Sequence, residues 1–180
     1  RELNAQDVLF SFQRMMDKGH WAHAAARRGF PVWAGMEMGG MVRSVEAPDP
    51  MTVRFTLARP ELPFLTNLAI TPIGAVLSAE YAARLAAAGK LEQLDSQPVG
   101  TGPFVFRSYQ GKSVIRYAPH STYWAGAPKL EQMVFTVTID PEVALQRLKA
   151  GECLAAMLTP ETARRLEGVP GLRVLNQLAL

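Results

Sequence analysis

The chain has 180 residues, 48% of them apolar and 19% charged, which suits one ordinary domain or two small lobes with a buried core. Its 19 lysines and arginines against 16 acidic residues leave a net charge of +3, and the basic residues are scattered apart from Arg27-Arg28 and Arg164-Arg165. Neither doublet makes the phosphate-neutralising stripe that a nucleic-acid partner requires, so none is expected.

No secretory leader pattern opens the chain, because Arg1 to Asp7 already reads as a helix start. Asn4 can cap it, Asp7 lies near its positive end, and Val8, Leu9, Phe12, Met15 and Met16 fall on one face as core. Met41 to Glu46 and Met51 to Leu57 are predicted to form a hairpin across the Ala47-Pro48-Asp49-Pro50 turn. The second strand alternates strictly, with Met51, Val53, Phe55 and Leu57 on its buried side. The longest apolar stretch, Phe64 to Leu77, is interrupted by Thr66, Asn67 and Pro72. It falls short of the roughly 20 residues that span a bilayer, which predicts a soluble chain. Another helix is predicted over Ser78 to Ala88, with Ser78 as cap, Glu80 in the first turn and Gly89 past the end. Lys90 to Gln97 reads as a polar link closed by Pro98, the best boundary between two lobes, residues 1–97 and 98–180.

Beyond Pro98 the rhythm changes. Phe104 to Tyr109 and Ser113 to Tyr117 flank Gln110-Gly111-Lys112 as a hairpin. Met133 to Ile139 alternates as a strand, and Asp140-Pro141-Glu142 supplies a cap, an N1 proline and an acidic first turn for a helix ending at Gly151. Cys153 to Leu158 reads as a further strand, Thr159-Pro160-Glu161 as a further helix start, and Leu172 to Leu175 as a third strand. This β-α-β-α-β run favours parallel strands in an α/β lobe that looks unfinished near Leu180, with too few helices to cover its sheet.

Candidate chemistry is sparse. His20 and His23 stand three apart around Trp21, but a metal site needs three or four ligands and His120 is far away, so no metal is expected. Trp21, Phe30 and Trp33, with Met36, Met38 and Met41, either pack onto the first lobe or form a ligand-facing loop, packing being the favoured reading. Gly100-Thr101-Gly102 could present N–H groups to phosphate, yet Pro103 and a strand follow where a phosphate loop needs a helix, so the glycines read as a turn. No Gly-x-Ser-x-Gly elbow is present, and Asp49, Asp95 and Asp140 suit turns or caps better than acid-base work, so no catalytic residue, enzyme activity or cofactor is expected. The single cysteine, Cys153, lacks a second thiol for a disulfide, redox or zinc motif, and is either a buried thiol or half of a bridge whose other half lies elsewhere.

Six segments carry a resemblance: Asn4 to Phe12, Arg59-Pro-Glu-Leu-Pro-Phe-Leu65, Gly100-Thr-Gly-Pro-Phe104, Tyr123-Trp124, Phe135 to Pro141 and Gly151-Glu-Cys153. In order and spacing the chain resembles the family 5 extracellular solute-binding proteins, the periplasmic dipeptide and oligopeptide receptors of ABC importers, and among them most the dipeptide-binding proteins. The resemblance implies an internal segment of a class II periplasmic-binding-protein-like α/β fold, a mixed sheet with flanking helices. Residues 1–97 would belong to the small outer lobe and 98–180 to the first main lobe, with the second main lobe absent. It further implies capture of dipeptides or short peptides by lobe closure without catalysis, handover to a membrane permease, and a periplasmic or lipid-anchored extracellular location. Haem, nickel and glutathione receptors share the family and remain alternatives, as does an interaction module that self-associates through an exposed sheet edge. The ligand-contacting residues are expected outside this chain, so none is assigned here. In related dipeptide receptors a cysteine at the Gly-Glu-Cys position can be bridged to one near the mature amino terminus, which by resemblance makes Cys153 a disulfide half.

Overall fold

A computed structural model describes residues 2–111 and 113–175. The chain divides into two compact units, Arg1–Ser108 with Arg116–Met133, and Tyr109–Ile115 with Val134–Leu180.

The first unit begins with α1, Ala5–Met16, started by a complete capping box: the Asn4 side chain accepts from the backbone of the first turn and Asp7 accepts from the Asn4 N–H. The helix buries two faces. Phe12 and Met15 enter a cluster with Trp33, Met38, Val42, Val45, Phe64 and Ile73, against which Val8, Leu9 and Met16 pack while only partly buried. Phe10, about 200° around the helix from Phe12 at 100° per residue, enters a second cluster with Ala22, Ala82, Leu85 and Leu94. The strip expected from sequence is one of these two, and Phe10 was hidden because its partners come from segments far along the chain.

Short helices α2 (Pro31–Gly35) and α3 (Met38–Met41) lead into an antiparallel hairpin of β1 (Val42–Asp49) and β2 (Thr52–Leu57). The expected turn at residues 47–50 is displaced. Strand β1 continues through Ala47 and Pro48 to pair Asp49 with Thr52, and the register shifts between Glu46 and Asp49. A two-stranded sheet leaves each strand a free edge, where proline's missing N–H costs nothing. Asp49 then closes the turn by accepting the Met51 N–H at 2.8 Å, so Met51 stands 84% exposed at the tip and does not join Val53, Phe55 and Leu57 on the buried side.

The apolar stretch after Phe64 folds into two short helices, α4 (Phe64–Leu68) and α5 (Thr71–Gly74). Their junction is tight: a Cβ on Gly74 would lie 2.0 Å from the Leu68 carbonyl oxygen. Helix α6, Ala79–Ala87, starts on Ser78, whose hydroxyl accepts the Tyr81 N–H, and stops before Gly89 at φ +65°. The supposed polar link contains a 3₁₀ turn, Leu91–Leu94, whose leucines complete the second core cluster. It is part of the first unit's interior as well as a connection.

Strands β3 (Phe104–Gln110), β4 (Val114–Pro119) and β5 (Met133–Thr136) form a three-stranded sheet in that order. β5 is shorter than the expected Met133 to Ile139, and Ile139 is 93% exposed. In the second unit α7, Pro141–Lys149, is capped by Asp140, which accepts the Glu142 N–H, and α8, Pro160–Arg164, by Thr159, which accepts the Thr162 N–H. Leu145 of α7 is completely buried. Neither Cys153–Leu158 nor Leu172–Leu175 is a strand, so the expected β-α-β-α-β run is not formed among the described residues. A parallel strand is held only by a hydrogen-bonded neighbour and by cover on its faces. Leu154 and Met157 have no such cover and stand essentially fully exposed. The end near Leu180 lies outside the described residues.

Candidate functional site

The most concentrated chemistry in the first unit lies where the loop after α1 folds back over it. Arg14, two residues before the end of α1, is only 4% exposed, although sequence periodicity gives an arginine there no reason to be inside. Its guanidinium carbon sits 5.2 Å from the centre of the Phe30 ring, a cation-π contact that uses the flat face of the group. The in-plane Nε is buried and has no hydrogen-bond partner among the described residues. Burial pushes the Arg14 pKa down from its usual value, with the Asp95 carboxylate partly opposing it.

The two histidines flank this arginine without converging on a common point. His23 Nδ1 donates to the Arg14 carbonyl at 2.7 Å, and its ring meets Phe30 edge-on. That bond fixes the proton on Nδ1. His20 has the opposite arrangement, since its Nδ1 accepts the Ala22 N–H at 3.2 Å. The His20 ring stacks on Trp21 at 5.4 Å and lies 5.5 Å from Phe10. Burial lowers the His20 pKa, the Asp17 carboxylate raises it, and the charges of Arg14 and His23 lower it further. No group of three metal-ligating side chains occurs among the described residues.

The remaining members of the 20–41 segment divide between packing and surface. Trp33 and Met38 are buried, and Phe30 and Met41 pack against the same cluster. Asn67 donates to the Met38 sulfur at 3.8 Å. Trp21 and Met36 keep 50% and 36% exposure, so Trp21, stacked on His20, and Met36 are the large apolar side chains that this loop leaves open to solvent.

A polar clamp that sequence reading missed lies at the other end of α1. Asp7, 3% exposed, accepts the Asn4 N–H at 3.0 Å with one oxygen and the Ala79 N–H at 2.9 Å with the other. Ser11, equally buried, donates to the Asp7 carbonyl and accepts the Leu77 N–H at 2.8 Å. Only the cap was legible locally; the partners at Leu77 and Ala79 are 66 and 72 residues away.

The Gly100–Gly102 turn is held by His120, which donates from Nδ1 to the Gly102 carbonyl at 3.0 Å and from its backbone N–H to the Pro103 carbonyl at 2.9 Å. These bonds give the glycine pair a structural role. Asp95 lies at the end of the 3₁₀ turn and Asp140 at a helix cap. In the second unit Cys153 is a free thiol of intermediate exposure, 3.9 Å from the Thr136 hydroxyl, and Arg165 pairs with Glu142. No helix among the described residues is long and apolar enough to cross a membrane.

The model of the bacterial extracellular solute-binding proteins, family 5 (middle region), matches residues 1–179. The chain belongs to this family. It is 47% identical to Di/tripeptide-binding protein 4 of Pseudomonas aeruginosa over 97% of its own length and 33% of that protein's. It is 38% identical to Heme-binding protein A of Haemophilus influenzae over its whole length and 33% of that relative. The structure of the ABC transporter-associated periplasmic binding protein DppA from Helicobacter pylori, in complex with the peptide STSA, superposes with a TM-score of 0.84 at 34% identity, covering 94% of this chain and 33% of that one. The chain therefore spans about a third of the length of the curated relatives it matches. The family's mixed fold of sheets and flanking helices is the one expected from the six sequence segments.

Proposed function

We propose that this chain acts in the substrate-binding component of an ABC importer, which captures dipeptides or short peptides by closing two lobes and hands them to a membrane permease without chemistry. The observation that carries this reading is the 47% identity to a di/tripeptide-binding protein, sustained over 97% of the chain. In this reading residues 1–97 belong to the small outer lobe and residues 98–180 to the first main lobe. The peptide contacts lie in sequence outside these residues, Cys153 is half of a disulfide, and the working compartment is the periplasm or the outer face of a membrane. Main-chain hydrogen bonding to an extended peptide, with charged groups for its termini, is the recognition mode that such a cleft uses.

Haem capture is the second reading, favoured by 38% identity to a heme-binding protein over the full chain. Calorimetric titration separates the two. The protein tested is a chimera in which these residues replace the matching third of Di/tripeptide-binding protein 4, titrated beside the chain alone with a dipeptide panel and with haem. Dipeptide binding by the chimera and none by the chain alone is the expected result. Haem binding by the chain itself would overturn the peptide reading and place a ligand at the Trp21 loop.

A further inference from the structure

His20 and His23 hold the loop after α1 by opposite chemistry, which the peptide-capture reading leaves unused. The Ala22 N–H can only donate, so the His20 Nδ1 that meets it at 3.2 Å carries no proton and the neutral ring keeps its hydrogen on Nε2. The Arg14 carbonyl can only accept, so the His23 Nδ1 that meets it at 2.7 Å carries one. Adding a proton therefore has different consequences at the two rings. On His23 it goes to Nε2, and the bond to Arg14 survives. On His20 it goes to Nδ1, which turns the acceptor into a second donor pointed at the Ala22 N–H. What hangs on that contact is core: Ala22 is completely buried in the second cluster with Phe10, Ala82, Leu85 and Leu94, and the Phe10 ring lies 5.5 Å from those of both His20 and Trp21.

We propose that His20 is an acid-released latch, whose protonation frees residues 18–22 from the second core cluster while His23 keeps residues 23–29 in place. The division follows from the loop's own bonds. Beyond His23 the Ala26 N–H donates to the His23 carbonyl at 3.1 Å and the Gly29 N–H to the Ala26 carbonyl at 2.7 Å, neither of which involves a ring nitrogen. Around His20, burial opposes the imidazolium, Asp17 favours it, and the charges of Arg14 and His23 oppose it. Helix α6 and the 3₁₀ turn, which share the second cluster, carry Glu80, Arg84, Glu92 and Asp95; Arg84 lies over the Tyr81 ring and Asp95 acts on Arg14. Opening uncovers Phe10 beside Trp21, an aromatic surface that the neutral latch keeps closed. A free imidazole titrates near pH 6.5, so the opening equilibrium at about pH 5.5 grows by at most about tenfold over its value at neutral pH. The latch is independent of the peptide reading and does not require it.

The test is amide hydrogen exchange of the chain at about pH 7.5 and about pH 5.5, corrected for the intrinsic pH dependence of exchange. It is read at Ala22 and, as the control within the same loop, at Ala26. Ala22 should lose protection by about threefold to tenfold in acid while Ala26 keeps its own. The ring nitrogen resonances at the higher pH should place the proton on Nε2 of His20 and on Nδ1 of His23. His20→Asn, whose amide oxygen stands where Nδ1 does and does not titrate, should keep Ala22 protected at both pH values. His20→Phe, which keeps a ring against Trp21 and Phe10 without the acceptor, should leave Ala22 poorly protected at both. An Ala22 amide indifferent to pH in the wild type would overturn the latch whether or not either variant folds, as would a His20 proton on Nδ1 at the higher pH. Equal losses at Ala22 and Ala26 would show that the loop opens as one body and would overturn it too, and so would a loss that persists in His20→Asn.

Discussion

Replacing Asp7 by asparagine changes one atom's chemistry in the clamp that joins the start of α1 to the start of α6. The carboxylate accepts from Asn4 and from Ala79, one N–H to each oxygen. An amide in the same place keeps one acceptor and turns an NH₂ group toward the other donor, so one part-buried N–H loses its acceptor. A hydrogen bond to a charged group contributes about 1.5–3 kcal/mol, and a stranded buried donor costs about 1–3 kcal/mol. Since the two figures describe overlapping losses, we expect Asp7→Asn to destabilise the first unit by about 2–4 kcal/mol. Asn4→Ala removes only the cap and should cost about 1 kcal/mol. Urea denaturation followed by the fluorescence of Trp21 and Trp33, both in the first unit, measures the two side by side. If Asp7→Asn proved no worse than Asn4→Ala, the long-range half of the clamp would carry no stability and the reasoning would fail.

At Gly74, alanine would place its Cβ 2.0 Å from the Leu68 carbonyl oxygen, backbone that cannot swing aside as a side chain can. Overpacking of this kind costs typically 1–3 kcal/mol, and a drop in thermal midpoint of roughly 2–10 °C is expected, against none if α4 and α5 part freely. Leu145→Ala, at a fully buried position in α7, should cost about 2–5 kcal/mol, seen as faster amide exchange in that helix. His20 tests the sign of a proton linkage. Burial chiefly holds its pKa below the ordinary value, so between the folded and unfolded pKa values the unfolded chain binds more protons and stability rises with pH. The thermal midpoint should fall from about pH 7.5 to about pH 5.5, and His20→Asn should flatten that slope; an unchanged slope would remove His20 from the account.

The caps of α1, α6, α7 and α8 were legible because each is a side chain bonding to backbone within three residues, at Asn4, Ser78, Asp140 and Thr159. The hairpin was legible in its alternation but not in its turn. Two prolines suggested a stop at Ala47, whereas the Asp49 carboxylate settles the reversal two residues later and exposes Met51. What depends on distant partners was not legible. Phe10 lies off the predicted apolar face of α1, and its cover comes from Ala82, Leu85 and Leu94, far along the chain. Cys153 to Leu158 has the composition of a strand without a strand beside it among the described residues. The Arg14 cluster was half visible, since His20, His23 and Phe30 stood out as residue types. Its organising charge did not, because a loop without periodicity buries it. The one available hint was that Arg14 stands four residues from Phe10, on the same side of α1.

Proline opens α2, α7 and α8, where the first N–H of a helix is ordinarily idle. Helix α6 begins with Ala79, whose N–H is bound to Asp7. The clamp grips main chain, so its hydrogen bonds place no demand on the side chains at 77 and 79, which are held instead by packing of Leu77 and Ala79 against the second core cluster. The one substitution that the clamp itself closes to both positions is proline, the residue that a helix start would otherwise welcome.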